Sequence, residues 1–533
     1  MGKRWGVTSA VVALTVTAGA LCLAPAGAGA SSTPHLDYVA VGLRHHAPGT
    51  EGKVWWISHD NTLPATWLLQ TPNCWGTLNC GQPPPGGSAF LARITQMLSG
   101  ARVSVDFAGL FPPPDGLFRQ AIVNGLKMAI ANGYRPTVRI LVGTYPGKIG
   151  HRPDSYVAEL SKELGGVLPI QAAYMSTYRE PQFGGLVASS WDHSKILDVD
   201  GQTAIVGGTN YFADDYLMTS HPVNDVSMQL SGAAVADVTK FENLLWRWTC
   251  RYRHNPFYVY SARHAVHGCQ THASTLPASG GGGVPVMVVG RLGNGIHVPG
   301  EAGRESPPID RPPVHGNKCV FYHRDYSQTN NDREYEYRNP GEDALRALIG
   351  SAHHSIFISQ QDLMSCLPKP AVATEARFDE RVIAALGHKV AQRVPIKIVI
   401  SGGSSGGYSN GIPIGELATV LTDMVAAQQR LSYGAARRLV CRDVGLGYLH
   451  SAPALSWPDG HRFANHAKLV EVDDQAFYIG SENLYPARLQ ELGLIVESAA
   501  ATATLNTEYL DPLWHYSSPY ALIDPARGHC GHF

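Results

Sequence analysis

The chain carries one reactive triplet twice. His193, Lys195 and Asp200 stand in Asp192-His-Ser-Lys-Ile-Leu-Asp-Val-Asp200, and His466, Lys468 and Asp473 stand in Asn465-His-Ala-Lys-Leu-Val-Glu-Val-Asp473. On an extended strand residues i and i+2 share a face, so each imidazole points the same way as its ammonium partner. Each segment runs into a second apolar stretch closed by Gly207-Gly208 or Gly480-Ser481, with an asparagine two residues on, Asn210 or Asn483. A turn bare of side chains lets a ligand approach the backbone, and an amide there can donate to an oxyanion. Two imidazoles, two ammonium groups and two amides suit a tetrahedral phosphodiester, whose negative charge must be held. One histidine can attack phosphorus while the other protonates the departing alkoxide. The second then draws a proton from the water or alcohol that resolves the covalent intermediate. This chemistry calls for no metal and no cofactor.

A nucleophilic imidazole needs its other nitrogen fixed by an acceptor. Asp225, in His221-Pro-Val-Asn-Asp225, and Glu491, in Leu489-Gln-Glu491, occupy comparable places downstream of the two motifs. Asp200 and Asp473 end their strands, where a carboxylate more often fixes a turn, and are assigned structural support. Trp191 and Tyr408 are candidates for substrate binding, although an aromatic in such a place serves packing as often. One such motif alone could be a surface strand with ordinary ion pairs. Two complete copies, each with its Gly and Asn followers, argue for catalysis. Histidines such as His353 and His354 read as solvated.

The elements that must position these groups also recur. A helical stretch from Gly116 to Gly133 precedes the apolar strand Thr137–Gly143, and one from Phe378 to Arg393 precedes Ile396–Gly402. His193 to His466 and Asn210 to Asn483 are both displacements of 273 residues, and Leu244-Leu-Trp246 resembles Pro512-Leu-Trp514. So long a period means duplication of a whole domain rather than a solenoid. The expected fold class is α/β, with two pseudo-symmetric α/β/α sandwich halves and the active site at their interface. The expected bounds are 31–278 for the first half, 279–313 for a connecting region around one short strand, and 314–533 for the second. Gly290, Gly293 and Gly295 have the wrong spacing for a nucleotide-binding loop and read as turns.

Lys3 and Arg4 precede an apolar run from Val7 to Ala24 that ends in Ala28-Gly29-Ala30, the pattern of a secretory signal cut before Ser31. A secreted protein is expected. With 44% hydrophobic and 16% charged residues the chain can bury large cores. Its net charge of -1, or -3 without Lys3 and Arg4, promises no nucleic-acid partner, whose phosphates demand a basic face. Beyond Cys22 there remain Cys74, Cys80, Cys250, Cys269, Cys319, Cys366, Cys441 and Cys530, an even set that implies four disulfides in an exported protein. Sequential pairing is expected. A metal site of Cys530 with His529 and His532 competes weakly, because oxidised cysteines do not ligate.

Both H-x-K-x-x-x-x-D motifs, with their Gly and Asn followers, resemble the phospholipase D superfamily. Flanking segments narrow the likeness to the secreted actinobacterial enzymes of the Streptomyces type: Trp67–Pro72, Cys74-Trp75, His221-Pro-Val223, Ile358–Leu363, Gly406–Ser409, Tyr478–Ser481, Asn483–Pro486 and Ile495–Ser498. The resemblance covers essentially the whole mature chain. It implies that His193 is the nucleophile and His466 the acid and base. It also implies hydrolysis of phosphatidylcholine and related phospholipids, at a membrane or micelle surface, to phosphatidic acid and free head group. Water or a primary alcohol is the acceptor, the alcohol giving head-group exchange, and a monomer is expected. Asp192 stands where the family usually has Asn before the first histidine. Glu491, longer by one methylene, stands where Asp usually supports the second. Loops 143–153 and 402–413 also differ and are candidate lids. The rival functions are a nuclease of the same superfamily, which would want a basic channel, and a non-catalytic lipid-binding protein, which would tolerate a broken motif.

Overall fold

The computed structural model describes residues 33–144, 151–178, 189–254, 259–261, 269–278, 280–293, 296, 298, 314–315, 318–319, 339–364, 378–403, 405–485, 487 and 489–533. The expected signal segment lies outside them, as do parts of both candidate lids.

Six strands build the first half around the first motif: β1 (Ser104–Leu110), β2 (Thr137–Gly143), β3 (Ile170–Met175), β4 (Ile196–Val199), β5 (Thr203–Gly207) and β6 (Asp225–Gly232). Six build the second: β7 (Ile356–Gln360), β8 (Ile396–Ile400), β9 (Val444–Tyr448), β10 (Lys468–Val472), β11 (Ala476–Gly480) and β12 (Gln490–Glu497). The first sheet runs β3-β2-β1-β4-β5-β6 and the second β9-β8-β7-β10-β11-β12, the same order twice. In each, three strands are mutually parallel and the motif strand and its two successors are antiparallel. Parallel neighbours need crossovers. Helix α1 (Gly116–Ala131) makes the one from β1 to β2, and helix α2 (Glu380–Ala391) the one from β7 to β8.

Alternation along the strands sorts their side chains into layers. Ala204 and Val206 of β5, with Phe477 and Ile479 of β11, enter a core drawn from both halves, where Trp67 stacks on Phe477 at 5.3 Å. Ile205 joins an outer core of the first half, and Tyr478 one of the second. The result is the α/β plan of two similar halves that the repeat implies.

Sequence position and spatial membership part company at the N-terminus. Helix Pro34–His46 packs Leu36, Val39 and Leu43 into the outer core of the second half. Strand Trp55–Ser58 pairs with Val286–Leu292, which pairs with β12. The expected connecting region therefore contributes an interior strand of the second sheet. Disulfides join Cys74 to Cys80, Cys250 to Cys269 and Cys441 to Cys530, in sequential order. The last removes Cys530 from metal binding. The expected pairing of Cys319 with Cys366 lies outside the described residues. Among the described residues no helix is long and apolar enough to cross a membrane.

Candidate active site

The residues that lead into the motif strands, Asp192-His193 and Asn465-His466, meet the other half at the seam, and backbone bonds there fix their register. His193 N–H donates to Gln490 O at 2.8 Å, and His466 N–H donates to Asn224 O at 2.7 Å. Gln490 precedes Glu491 and Asn224 precedes Asp225, so each bond brings a carboxylate beside a histidine of the opposite half. His193 Nδ1 lies 3.0 Å from both oxygens of Glu491, and His466 Nδ1 lies 2.7 Å from Asp225 Oδ2. This corrects the expectation that each carboxylate serves the motif it follows: Glu491 holds His193, not His466, and Asp225 holds His466. Chain order misleads here because the partner is chosen by a strand crossing the seam.

The two rings lie 6.5 Å apart between centroids, inclined at 74°. With both Nδ1 atoms engaged, Nε2 is the nitrogen left to each ring for chemistry. Lys195 and Lys468 stand two residues after their histidines, and each Nζ donates to the carbonyl of its own histidine. All four groups are buried, and burial is the largest cause of their shifts. It depresses His193 to about 4, against an opposing pull upward from Glu491, and lowers Lys195 to about 8. His466 and Lys468 are held well below their ordinary values by burial and by the neighbouring cations. Burial raises Asp225 to about 7, against the pull of Lys468. A bound phosphodiester would supply the anion these cations lack and restore their protons.

The asparagines that follow each motif are buried as well. Asn210 Oδ1 and both side-chain polar atoms of Asn483 are buried with no hydrogen-bond partner among the described residues. Buried amides in that state are expensive unless a ligand satisfies them. Gly208 is required by close approach: a Cβ there would stand 2.2 Å from Asp225 Oδ1. Gly207 is crowded likewise by Ser227, and Gly480 by Tyr478 and Gly493. At the position matching Gly208, Ser481 donates to Glu491 Oε2 at 2.6 Å.

Asp200 and Asp473 stand away from this chemistry. Asp200 accepts from the N–H groups of Arg102, Val103 and Ser104, and Asp473 from those of His353, His354 and Ser355. Each anchors the chain entering the central strand of its sheet. Tyr408 sets its ring edge-on to His466 at 5.0 Å, and its hydroxyl donates to Asp215 Oδ2 at 2.5 Å. Trp191 contributes a carbonyl that accepts from Gln490 N–H at the seam.

Sequence reasoning missed Tyr216. Its hydroxyl lies 2.9 Å from Asp225 Oδ2 and 3.0 Å from His466 Nδ1. It sits in a connection from Gly208 to Asp225 seven residues longer than that from Ser481 to Glu491, so the repeat offers no counterpart to flag it.

No protein-family profile matches the chain. A phospholipase D of Streptomyces antibioticus is 42% identical over 544 aligned positions, covering 97% of this chain and 94% of that protein. The chain belongs to the phospholipase D family. Among solved structures, phosphatidylserine synthase of Haemophilus influenzae is 12% identical over 82% of this chain and 86% of its own, with a TM-score of 0.48. The phospholipase D family member Nuc of Salmonella typhimurium is 16% identical over 32% of this chain and 86% of its own, with a TM-score of 0.21. Likeness at that level says nothing of the substrate of this phospholipase D family chain.

Proposed function

We propose that this protein is a secreted phospholipase D that hydrolyses phosphatidylcholine-type phospholipids to phosphatidic acid and free head group. With a primary alcohol as acceptor it exchanges the head group instead. The observation that carries this reading is the facing histidine pair, each Nδ1 held by a buried carboxylate from the other half.

His193 Nε2 attacks phosphorus, the P–O bond to the head group breaks, and the departing alkoxide takes a proton from His466. His466 then removes a proton from water or alcohol, whose oxygen displaces the imidazole as the P–N bond breaks. Lys195, Lys468, Asn210 and Asn483 hold the non-bridging oxygens as charge builds. Glu491 and Asp225 orient the rings and stabilise each imidazolium as it forms. Every proton and charge has a side chain to take it, so the scheme calls for no metal. One chain supplies both half-sites, which supports a monomer as the working unit. Export rests on the N-terminal segment, and the 42% identical phospholipase D supports the substrate class.

Choline release from phosphatidylcholine micelles by the mature protein, run with chelator and with and without ethanol, tests the reading. Release that survives chelation, phosphatidylethanol formed in ethanol, and loss of both in His193→Ala and His466→Ala are expected. Cleavage of DNA or another phosphodiester, with no phospholipid cleaved, would overturn the substrate assignment.

A further inference from the structure

The segment His221-Pro-Val223 has no part in the chemistry above, yet His221 stands in a second cluster of ligating side chains. His221 Nδ1 lies 2.6 Å from Asp459 Oδ2, and His461 Nδ1 lies 3.0 Å from Asp459 Oδ1. The two imidazoles are stacked at 3.7 Å with 16° between their planes. Ser220 Oγ, 2.5 Å from Asp459 Oδ2 and 3.5 Å from His221 Nδ1, closes the fourth side. One ligand atom from each of the three residues lies within 4.8 Å of the others.

Two imidazole nitrogens and a carboxylate oxygen are a donor set suited to zinc, bound at roughly 2.0–2.2 Å. Tetrahedral bonds of that length set ligand atoms roughly 3.3 Å apart, so to admit an ion His221 Nδ1 and Asp459 move apart by about 0.7 Å, His461 Nδ1 and Asp459 by about 0.3 Å, and the stacked rings turn so that both nitrogens converge. The side chains are 38%, 30% and 53% exposed for His221, Asp459 and His461, which leaves a path for the ion and room for a water ligand. Calcium and magnesium, which take oxygen donors, are poorly served here.

We propose that His221, Asp459 and His461 bind one divalent transition-metal ion of the zinc class, stapling the two halves together beside the catalytic seam. The loop carrying His221 leads into β6 and Asp225, and the loop carrying Asp459 and His461 leads into His466. Between them Asn224 N–H donates to Ala464 O at 2.9 Å, and the Asn224 carbonyl accepts from His466 N–H. An ion at the cluster joins the two loops that bring Asp225 to His466.

The test is zinc binding to chelator-stripped mature protein, followed by calorimetry and by thermal melting. Wild type is expected to take up one equivalent tightly, with a rise in Tm that excess chelator reverses. His461→Ala should weaken that site at least about 100-fold, whereas His45→Ala, at a histidine remote from the cluster, should leave it unchanged. Cobalt in place of zinc should give visible ligand-field bands in wild type and none in His461→Ala. Absence of a tight equivalent in wild type, or equal binding and equal cobalt spectra in His461→Ala, would overturn the proposal.

Discussion

The two halves share a strand order and a motif, yet they hold their histidines differently. His193 is gripped by both oxygens of Glu491, itself steadied by Ser481, whereas His466 meets one oxygen of Asp225 with the Tyr216 hydroxyl wedged alongside. Asn465 donates to Ser359 Oγ and to the carbonyls of Gln360 and Val399. Its counterpart Asp192 accepts from Ser194, and its Oδ2 has no hydrogen-bond partner among the described residues. Across the motif strands and the two strands beside them, matched positions hold Asp106, Arg139 and Asp198 in one half and Phe357, Lys397 and Glu471 in the other. Duplication therefore supplies the framework and the paired reactive groups, and divergence at the seam sets each histidine in its own electrostatic surroundings.

The sharpest way to break this comparison is to neutralise the carboxylates one at a time. Glu491→Gln and Asp225→Asn should each lower kcat/KM about 10³-fold, and their pH profiles should differ. The Glu491 charge raises the His193 pKa, so its removal lets burial push that value further down, and the acid limb of kcat/KM moves to lower pH. Asp225→Asn should leave that limb in place. Identical shifts in both variants would contradict the cross-seam pairing. A smaller loss, about tenfold, is expected for Glu491→Asp, because the shorter side chain cannot keep both oxygens on the ring and also hold Ser481.

Tyr216→Phe removes one buried hydrogen bond from the second half-site only. It should cost about 1 kcal/mol, or roughly fivefold in kcat/KM, while Ser481→Ala acts on the first half-site instead. Equal effects of Tyr216→Phe on cleavage of good and poor leaving groups would remove the tyrosine from the acid–base step. The smallest effect on activity is expected from Asp192→Asn, which gives the first half the residue of the second. Burial raises the Asp192 carboxyl to about 7 in the folded chain, so the folded state binds the extra proton between about pH 4 and 7. Stability from that carboxyl is present below its unfolded pKa and is lost as pH rises through the folded value. The amide should therefore stabilise the protein at pH 8 and change nothing at pH 4, as urea denaturation would show.

The sequence disclosed whatever depends on local spacing or on the repeat. Helix α1 and strand β2 lie where the period predicts, as do α2 and β8, whereas His193 and Lys195, expected on a strand, lead into β4, which begins at Ile196. Contacts chosen by the tertiary path of the chain were not legible. A period of two says which face a histidine occupies but not which strand crosses the seam to meet it, so Glu491 was placed with the wrong ring. Nor does an alternating pattern reveal that Trp55–Ser58 joins the sheet of the second half, since an edge strand reads alike in either sheet. Tyr216 and His221 come from a connection seven residues longer than its counterpart, whereas Asp459 and His461 come from a loop of matching length whose repeat positions hold Leu186 and Ala188, so the repeat flags none of them.

The central claim is that the halves divide the work, with His193 as nucleophile and His466 as acid and base. A phosphatidyl ester of p-nitrophenol tests it directly, because so good a leaving group needs no acid to depart. His466→Ala, mixed rapidly with this substrate, should release one p-nitrophenolate per enzyme and then stall, with peptide mass spectrometry finding the phosphatidyl group on His193. No burst from His466→Ala, or a burst from His193→Ala with the adduct on His466, would contradict the account.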